Sequence, residues 1–170
     1  ANRKRTQKDG SKERRKMTKS EKAKELFLEG YNCAQSLTGA YASEMGLDFS
    51  AAVKLASSFG GGMGRMREVC GAVSGMFLAA GAIYGYADPK DFSGKKEHYQ
   101  RIQFLAAQFK QETGSIVCRE LLGDLGKDAS FVPGERTKEY YKKRPCAELV
   151  GLAAGILEEY IQECGLPEES

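Results

Sequence analysis

Histidine is nearly absent from this sequence, and its cysteines are never closely paired. The single histidine, His98, excludes a His-based catalytic triad and a metal site built from several histidines. No Cys-x-x-Cys pair occurs. This disfavours zinc ribbons and fingers, because they place their ligands in closely spaced pairs. Any cysteine chemistry in this chain is therefore expected to depend on residues that lie far apart in the sequence.

Long apolar runs and strand patterns are also missing. The chain has no apolar run of about 18 residues, so no membrane span is expected. No segment alternates apolar and polar residues with a period of two, which favours an all-α protein. The GGGMG segment lacks the Lys-Ser/Thr pair of a P-loop, and neither Rossmann glycines nor paired carboxylates are found. With 170 residues, the chain is long enough to form one domain with its own core.

Positive charge is concentrated at the N-terminus. Residues 1–25 contain 11 Lys/Arg and 4 Asp/Glu, a local net charge of +7 in a chain whose net charge is +3. We expect residues 1–19 to be a basic, disordered, solubilising extension and residues 20–165 to form the helical domain. The basic run has no aromatic residue on which bases could stack, so no nucleic-acid partner is expected. No apolar segment typical of a signal peptide follows it, which makes the cytoplasm the expected compartment.

Apolar residues recur at steps of three and four, which predicts a compact single-domain bundle of about six helices. The predicted elements are a helix from about Glu21 to Gly46 capped by Thr18 or Ser20, one from Asp48 or Ser50 to Phe59, one from Cys70 to Tyr86, one from Gly94 to Gly114, a short turn after Ser115, and a last helix that begins at Pro145.

The segment CGAVSGMFLAAGAIYGY, residues 70–86, is predicted to be the central helix of this bundle. It is apolar on nearly every side, as expected for a helix that the others surround. Its glycines lower helix stability, by roughly 1 kcal/mol each relative to alanine. Their presence indicates close contact with neighbouring backbones. The same small-residue surface would also suit a homodimer contact.

A glycine-rich turn precedes this helix in the stretch FGGGMGRMREVCGAVSG, residues 59–75. Such a turn permits positive φ and close approach of the backbone, and it can direct N–H groups at an anion. If Cys70 lies in the first helical turn, the amides and the helix dipole there favour its thiolate. The residues expected to bind an anion or a cofactor are Gly60, Gly61, Gly62, Gly64, Arg65 and Gly71.

Five cysteines are spread along the chain. Cys70, Cys118 and Cys146 are predicted at or near helix N-termini, whereas Cys33 is predicted within a helix on an apolar face. A buried cysteine often packs simply as a small hydrophobic residue. For Cys70 the adjacent glycine turn favours a functional role, and Cys164 is interpreted as incidental because it lies at a frayed helix end.

The four cysteines other than Cys164 carry a resemblance to a known family. They occur in GYNCAQS (Cys33), CGAVSG preceded by FGGGMG (Cys70), VCRELLG (Cys118) and RPCAELV (Cys146). Over residues 20–163 the chain resembles the bacterial and archaeal C_GCAxxG_C_C family, which is described as redox-active. Here the order is Cys-Gly-Ala where the family name has Gly-Cys-Ala. The resemblance implies electron or thiol transfer with an unknown redox partner, and it leaves the substrate open.

Three functions are consistent with this pattern. The first is a thiol–disulfide redox protein, a possible oxidoreductase, in which Cys70 attacks and Cys33, Cys118 or Cys146 resolves. In this hypothesis Arg65, Arg67 and Arg119 stabilise the thiolate or hold an anionic substrate. One pair of cysteines should then have Cα atoms less than about 7 Å apart.

The second hypothesis is a metal ion or an iron–sulfur cluster ligated by Cys33, Cys70, Cys118 and Cys146, because helical bundles can build sites from facing helices. The third is a non-enzymatic module in which the glycine turn binds an anion or a partner and the cysteines are core residues. The sequence favours the redox hypothesis without excluding the other two.

Overall fold

Several helices of this protein begin where side chains accept backbone N–H groups that have no partner within the helix, whereas the helices that begin at Gly71, Cys118 and Cys146 have no such cap. The computed structural model describes residues 15–168. The Thr18 side chain accepts the amide of Glu21, and the Asp48 side chain accepts the amide of Ala51. Of the alternatives considered for each cap, the structure therefore uses Thr18 and Asp48.

Eight α-helices account for most of the described residues. In chain order they are α1 (Lys19–Leu28), α2 (Cys33–Tyr41), α3 (Phe49–Ala56), α4 (Gly71–Tyr84), α5 (Phe92–Thr113), α6 (Cys118–Leu122), α7 (Lys138–Lys143) and α8 (Cys146–Cys164). A further helical turn, Gly60–Met63, contains left-handed residues and is not counted as a helix. The only extended pairing in residues 15–168 is an isolated bridge between Val69 and Val117. The predicted all-α fold is confirmed.

The predicted first helix is in fact two helices, α1 and α2. The chain turns at Gly30, which has a φ of +111°. Asn32 then starts α2 with a reciprocal cap: its side chain accepts the amide of Gln35, and the Gln35 side chain accepts the amide of Asn32. Because the apolar periodicity continues across this break, the periodicity did not reveal the break. As a result Cys33 is the first residue of α2, and its predicted mid-helix position is wrong.

The small-residue helix α4 lies at the centre of the bundle, packed against α2, α5 and α8. Most of its residues are buried. A Cβ atom on Gly75 would lie 2.6 Å from the Cβ of Leu37 and 2.8 Å from the carbonyl oxygen of Ala34, both in α2. The glycine therefore permits the close backbone approach that the sequence predicts.

The second layer of contacts joins α1, α2 and α8. Helix α1 packs along α8 and also touches α2. The fully buried Tyr41, at the end of α2, donates a hydrogen bond of 2.6 Å to the carbonyl oxygen of Ala154 in α8. These contacts fix α2 and α8 relative to each other, and both helices begin with a cysteine.

The predicted disorder of the basic extension concerns mainly residues 1–14, which lie outside the described residues. Thr18 and Lys19 are the cap and first residue of α1. The helical part of the chain thus begins slightly before the predicted residue 20. Within residues 15–168, no helix combines the length and the apolar content that crossing a membrane requires.

Candidate functional site

Four cysteines line a single cavity of about 280 Å³. Cys33, Cys118 and Cys146 are the first residues of α2, α6 and α8, and Cys70 is the N-cap of α4. The cavity therefore lies where four helices begin, and all four cysteines carry free thiols. Cys164 is exposed at the other end of α8 and does not line the cavity.

Two of these cysteines are held side by side by backbone hydrogen bonds. The amide of Cys70 donates to the carbonyl oxygen of Ile116 at 2.8 Å, and the amide of Cys118 donates to that of Glu68 at 2.6 Å. These bonds flank the isolated bridge between Val69 and Val117. The segments before α4 and α6 are thereby joined, although neither has a strand pattern in the sequence.

The glycine turn, residues 60–67, covers one side of the cavity. Gly62 has a φ of +75°, and a Cβ atom there would lie 2.6 Å from the Cβ of Cys118. A Cβ atom on Gly71, at the start of α4, would lie 3.0 Å from the Cβ of Cys33. Glycine at these two positions therefore lets the backbone reach the cysteines, as the composition of the turn predicts.

The turn uses several of its own N–H groups internally. The amides of Arg65, Arg67 and Glu68 donate to carbonyl oxygens of residues 60, 61 and 62, respectively. These three amides therefore do not point at an anion in the cavity. The predicted residues that do line the cavity are Gly60, Gly61, Gly62, Gly64, Arg65 and Gly71. Their binding role stays a prediction.

Arg65 contacts the loop that follows α6. Its guanidinium donates to the carbonyl oxygens of Ser130 (2.7 Å) and Val132, and it lies 3.5 Å from a carboxylate oxygen of Asp128. Arg65 has a positive φ of 66°, which is uncommon for a residue with a side chain. This side chain therefore positions one rim of the cavity.

Cys33 and Cys146 both line the cavity, and each thiol is the largest influence on the pKa of the other. Interaction with the Cys33 thiol lowers the pKa of Cys146 to about 7, burial opposes this change, and the guanidinium groups of Arg144, Arg136 and Arg67 lower this pKa further. Interaction with Cys146, followed by burial, raises the pKa of Cys33 well above its ordinary value. Within the pair, Cys146 is therefore the thiol that ionises more readily.

The structure corrects the expectation that Cys70 has a lowered pKa. Burial is the largest influence and raises the pKa of Cys70 to about 12, although the nearby backbone amides of Ala72 and Val73 act to lower it. The helix N-terminus acts in the predicted direction, but the loss of water around the sulfur outweighs it. Burial likewise raises the pKa of Cys118, against a hydrogen bond of 3.8 Å from Arg67.

The arginines around the cavity were only partly identified from the sequence. Arg67 lines the cavity as expected, but Arg119 does not: it is half-exposed and pairs with Glu68 at 2.7 Å. Arg136 and Arg144 also line the cavity and were missed. Arg144 comes two residues before Cys146, and this proximity was a usable signal. Arg136 lies in a loop ten residues before Cys146, and no motif in that loop indicated it.

Metal ligation requires several donor atoms that converge on one point. Within the described part of the chain, no three His, Cys, Asp or Glu side chains form such a group. Instead, Cys33 and Cys146 are free thiols that influence each other's ionisation, and Cys118 accepts a hydrogen bond from Arg67. The side chains as arranged thus do not fit a metal ion or an iron–sulfur cluster, and ligation by the four cysteines stays a prediction.

Comparison with known proteins adds a family match. The model of the family described as "Putative redox-active protein (C_GCAxxG_C_C)" matches residues 31–160. The match covers more than half of the chain and includes all four cavity cysteines. Comparisons with curated proteins and with solved structures give no match.

Proposed function

Because this chain belongs to the C_GCAxxG_C_C family, we propose that it is a thiol–disulfide redox protein in which Cys33 and Cys146 form the reactive pair. The observation that carries this proposal is that Cys33 and Cys146, the first residues of α2 and α8, line the same cavity as free thiols. The influence of each thiol on the pKa of the other supports the pairing, since such an influence acts at short range.

Cys146 is the attacking residue of the pair. Its lowered pKa supports this role, because the thiolate is the nucleophile and a thiol with a pKa near the ambient pH attacks fastest. The Cys146 thiolate attacks one sulfur atom of a disulfide substrate. A mixed disulfide forms on Cys146, and the other half of the substrate leaves as a thiolate.

Cys33 is the resolving residue. It passes its proton to the departing thiolate and attacks the sulfur of Cys146, which closes the Cys33–Cys146 disulfide and releases the second half of the substrate as a thiolate. Two electrons thereby move from the pair to the substrate disulfide, which is reduced to one thiol and one thiolate, and the thiolate takes a proton from water. The raised pKa values of Cys70 and Cys118 disfavour both as the attacking residue, and the resolving role goes to Cys33 because its thiol is the one that interacts most strongly with Cys146.

A disulfide-mapping experiment tests the assignment. Reduced protein is treated at neutral pH with one equivalent of bis(2-hydroxyethyl) disulfide, its free thiols are alkylated, and its peptides are analysed by mass spectrometry. We expect a Cys33–Cys146 disulfide that dithiothreitol reverses. In Cys33→Ser the mixed disulfide should persist on Cys146, and in Cys146→Ser neither product should form.

Cys164→Ser is the matched control, since Cys164 is exposed and outside the cavity. It should behave as the parent protein does. A disulfide between other cysteines, or no intramolecular disulfide, would contradict the proposal. A stoichiometric metal ion, or the visible spectrum of a cluster in freshly purified protein, would favour cysteine ligation instead.

A further inference from the structure

The charged side chains that line the cavity are all positive. Its lining includes four arginines, Arg65, Arg67, Arg136 and Arg144, and no aspartate or glutamate. Only Arg65 has a carboxylate nearby, that of the exposed Asp128. No ion pair joins the other three arginines to a carboxylate within residues 15–168. One thiolate in the cavity would balance only part of this charge.

Two of these guanidinium groups are already used by the fold. Arg136 donates to the carbonyl oxygens of Phe27 and Tyr31 and lies 4.3 Å from the ring centre of Phe27. Arg144 lies over the ring of Tyr140, 4.5 Å from its centre. Arg136 and Arg144 both contribute positive charge to the cavity, but most of the N–H donors of Arg136 point towards protein atoms.

Arg67 is different, because it is only 2% exposed and still has an unused donor. Its Nε donates to the carbonyl oxygen of Asp128 at 2.9 Å, and its Nη1 donates to the sulfur of Cys118. Its Nη2 is buried and has no hydrogen-bond partner among the described residues. Proteins rarely bury a charged donor without an acceptor, because its lost hydration is costly.

The backbone holds Arg67 in this position. Its φ is +61°, in the left-handed region, where side chains are uncommon. The amide of Arg67 donates to the carbonyl oxygen of Gly61. The carbonyl oxygen of Arg67 accepts hydrogen bonds from both the backbone amide and the Nε of Arg119. Local strain of this kind persists where the surrounding structure fixes it, and it is frequent at ligand sites.

The N-termini of α2, α4 and α8 add positive partial charge to the same cavity.

We propose that Arg67 is an anion subsite beside the redox pair, and that the substrates of this protein are small disulfides that carry a carboxylate close to the sulfur atoms. A guanidinium recognises a carboxylate by charge and by hydrogen bonds from its nitrogens. The cavity volume of about 280 Å³ suits a small molecule. The subsite has this role only if Cys33 and Cys146 form the proposed pair, so it rests on the proposed function.

Three aliphatic disulfides of similar size test this subsite in the parent protein. 3,3′-Dithiodipropionate is anionic, bis(2-hydroxyethyl) disulfide is neutral and cystamine is cationic. We expect the rate of Cys33–Cys146 disulfide formation at low salt to fall in that order, by about tenfold or more from the anionic to the cationic reagent. Simple repulsion of anions by a thiolate gives the reverse order.

Arg67→Gln identifies the group responsible. The ratio of the anionic to the neutral rate should fall roughly tenfold in this variant, as expected for the loss of a charge-assisted hydrogen bond. The ratio is the useful quantity, since Arg67 also influences the reactivity of the thiols and this effect cancels between reagents. Arg15→Gln is the control, because Arg15 is exposed and outside the cavity, and its ratio should equal that of the parent.

Equal rates for the three reagents in the parent protein would overturn the subsite while leaving the redox pair intact. An unchanged ratio in folded Arg67→Gln would also overturn it. If Arg67→Gln does not fold, the order of the three rates in the parent protein decides. Failure of every reagent to form the Cys33–Cys146 disulfide would overturn both the subsite and the proposed function.

Discussion

Cys33 and Cys146 lie next to each other but have opposite environments. Cys146 begins α8 directly after Arg144-Pro145, and three guanidinium groups lower the pKa of its thiol. Cys33 begins α2, and its interaction with Cys146 and burial both keep its proton in place. The difference between the two residues therefore comes first from their interaction with each other and then from the arginines, which lower the pKa of Cys146.

The first prediction concerns the pH dependence of Cys146. Because the thiolate is the reactive form, the rate of alkylation by iodoacetamide should rise as the pH increases through about 7 and then level off. The groups that face this thiol are Cys33 and the guanidinium groups of Arg67, Arg136 and Arg144. Mass spectrometry of the Cys146 peptide after short exposure at a series of pH values measures this rate.

Arg144→Gln provides the comparison for this pH profile. Removing a guanidinium that favours the thiolate should move the midpoint to higher pH, since Arg144 lowers the pKa of Cys146. A parent profile centred near about pH 8.5, the ordinary value for cysteine, would contradict the assigned environment. Cys70 should react slowly at neutral pH, because burial raises its pKa to about 12.

At the scale of the helices, the site depends on where each one begins. A capping box starts α2 at Cys33, and a glycine turn brings the chain to the start of α4. The close contact between α2 and α4 then sets the distance between Cys33 and Cys70. This contact depends on Gly75, because its missing Cβ leaves room for Leu37 and the backbone of Ala34.

The second prediction compares two glycines in helices. Gly75→Ala should lower the free energy of unfolding by about 1–3 kcal/mol, because the added methyl group meets backbone that cannot easily move. Gly155→Ala, in α8, should raise it by about 0.5–1 kcal/mol, since nothing lies within 4 Å of the new Cβ and alanine favours helix. Urea unfolding of both variants measures the two changes, and similar stabilisation in both would refute the close α2–α4 packing.

At the scale of the whole molecule, the redox pair joins distant parts of the chain. Cys33 and Cys146 are roughly 110 residues apart, and a disulfide that closes a loop of this length restricts the unfolded chain strongly. The contacts of α1, α2 and α8 bring the two residues together before any covalent bond forms. Oxidation should therefore form the Cys33–Cys146 disulfide without changing the packing of α1, α2 and α8 that the reduced protein already has.

The third prediction follows from this linkage. The oxidised protein should unfold with a free energy about 2–4 kcal/mol higher than the reduced protein. Urea unfolding with and without dithiothreitol measures the difference. Cys33→Ser should show no such dependence on reductant, and an oxidised parent that is no more stable than the reduced parent would mean that the pair does not form an unstrained disulfide.

Several features could be predicted because they depend on neighbours in the sequence. Helical periodicity, the caps at Thr18 and Asp48, and the start of helices near Cys118 and Cys146 follow from local propensity and are found in the structure. The break after α1 was missed because the apolar spacing continues through it. The extent of a periodic pattern does not reveal where a capping side chain interrupts it.

The sequence by itself determined the all-α fold, the buried small-residue helix and the family to which the chain belongs, which its four cysteines indicate. Only the tertiary structure decided which cysteines influence each other's pKa and which arginines face them. A pKa depends on burial and on charges that the fold brings near, and Arg67 and Cys33 reach Cys146 from distant positions in the chain. The sequence indicated Cys70 as the thiol with a lowered pKa. In the structure, burial raises the pKa of Cys70, and the arginine side chains lie near Cys146 instead.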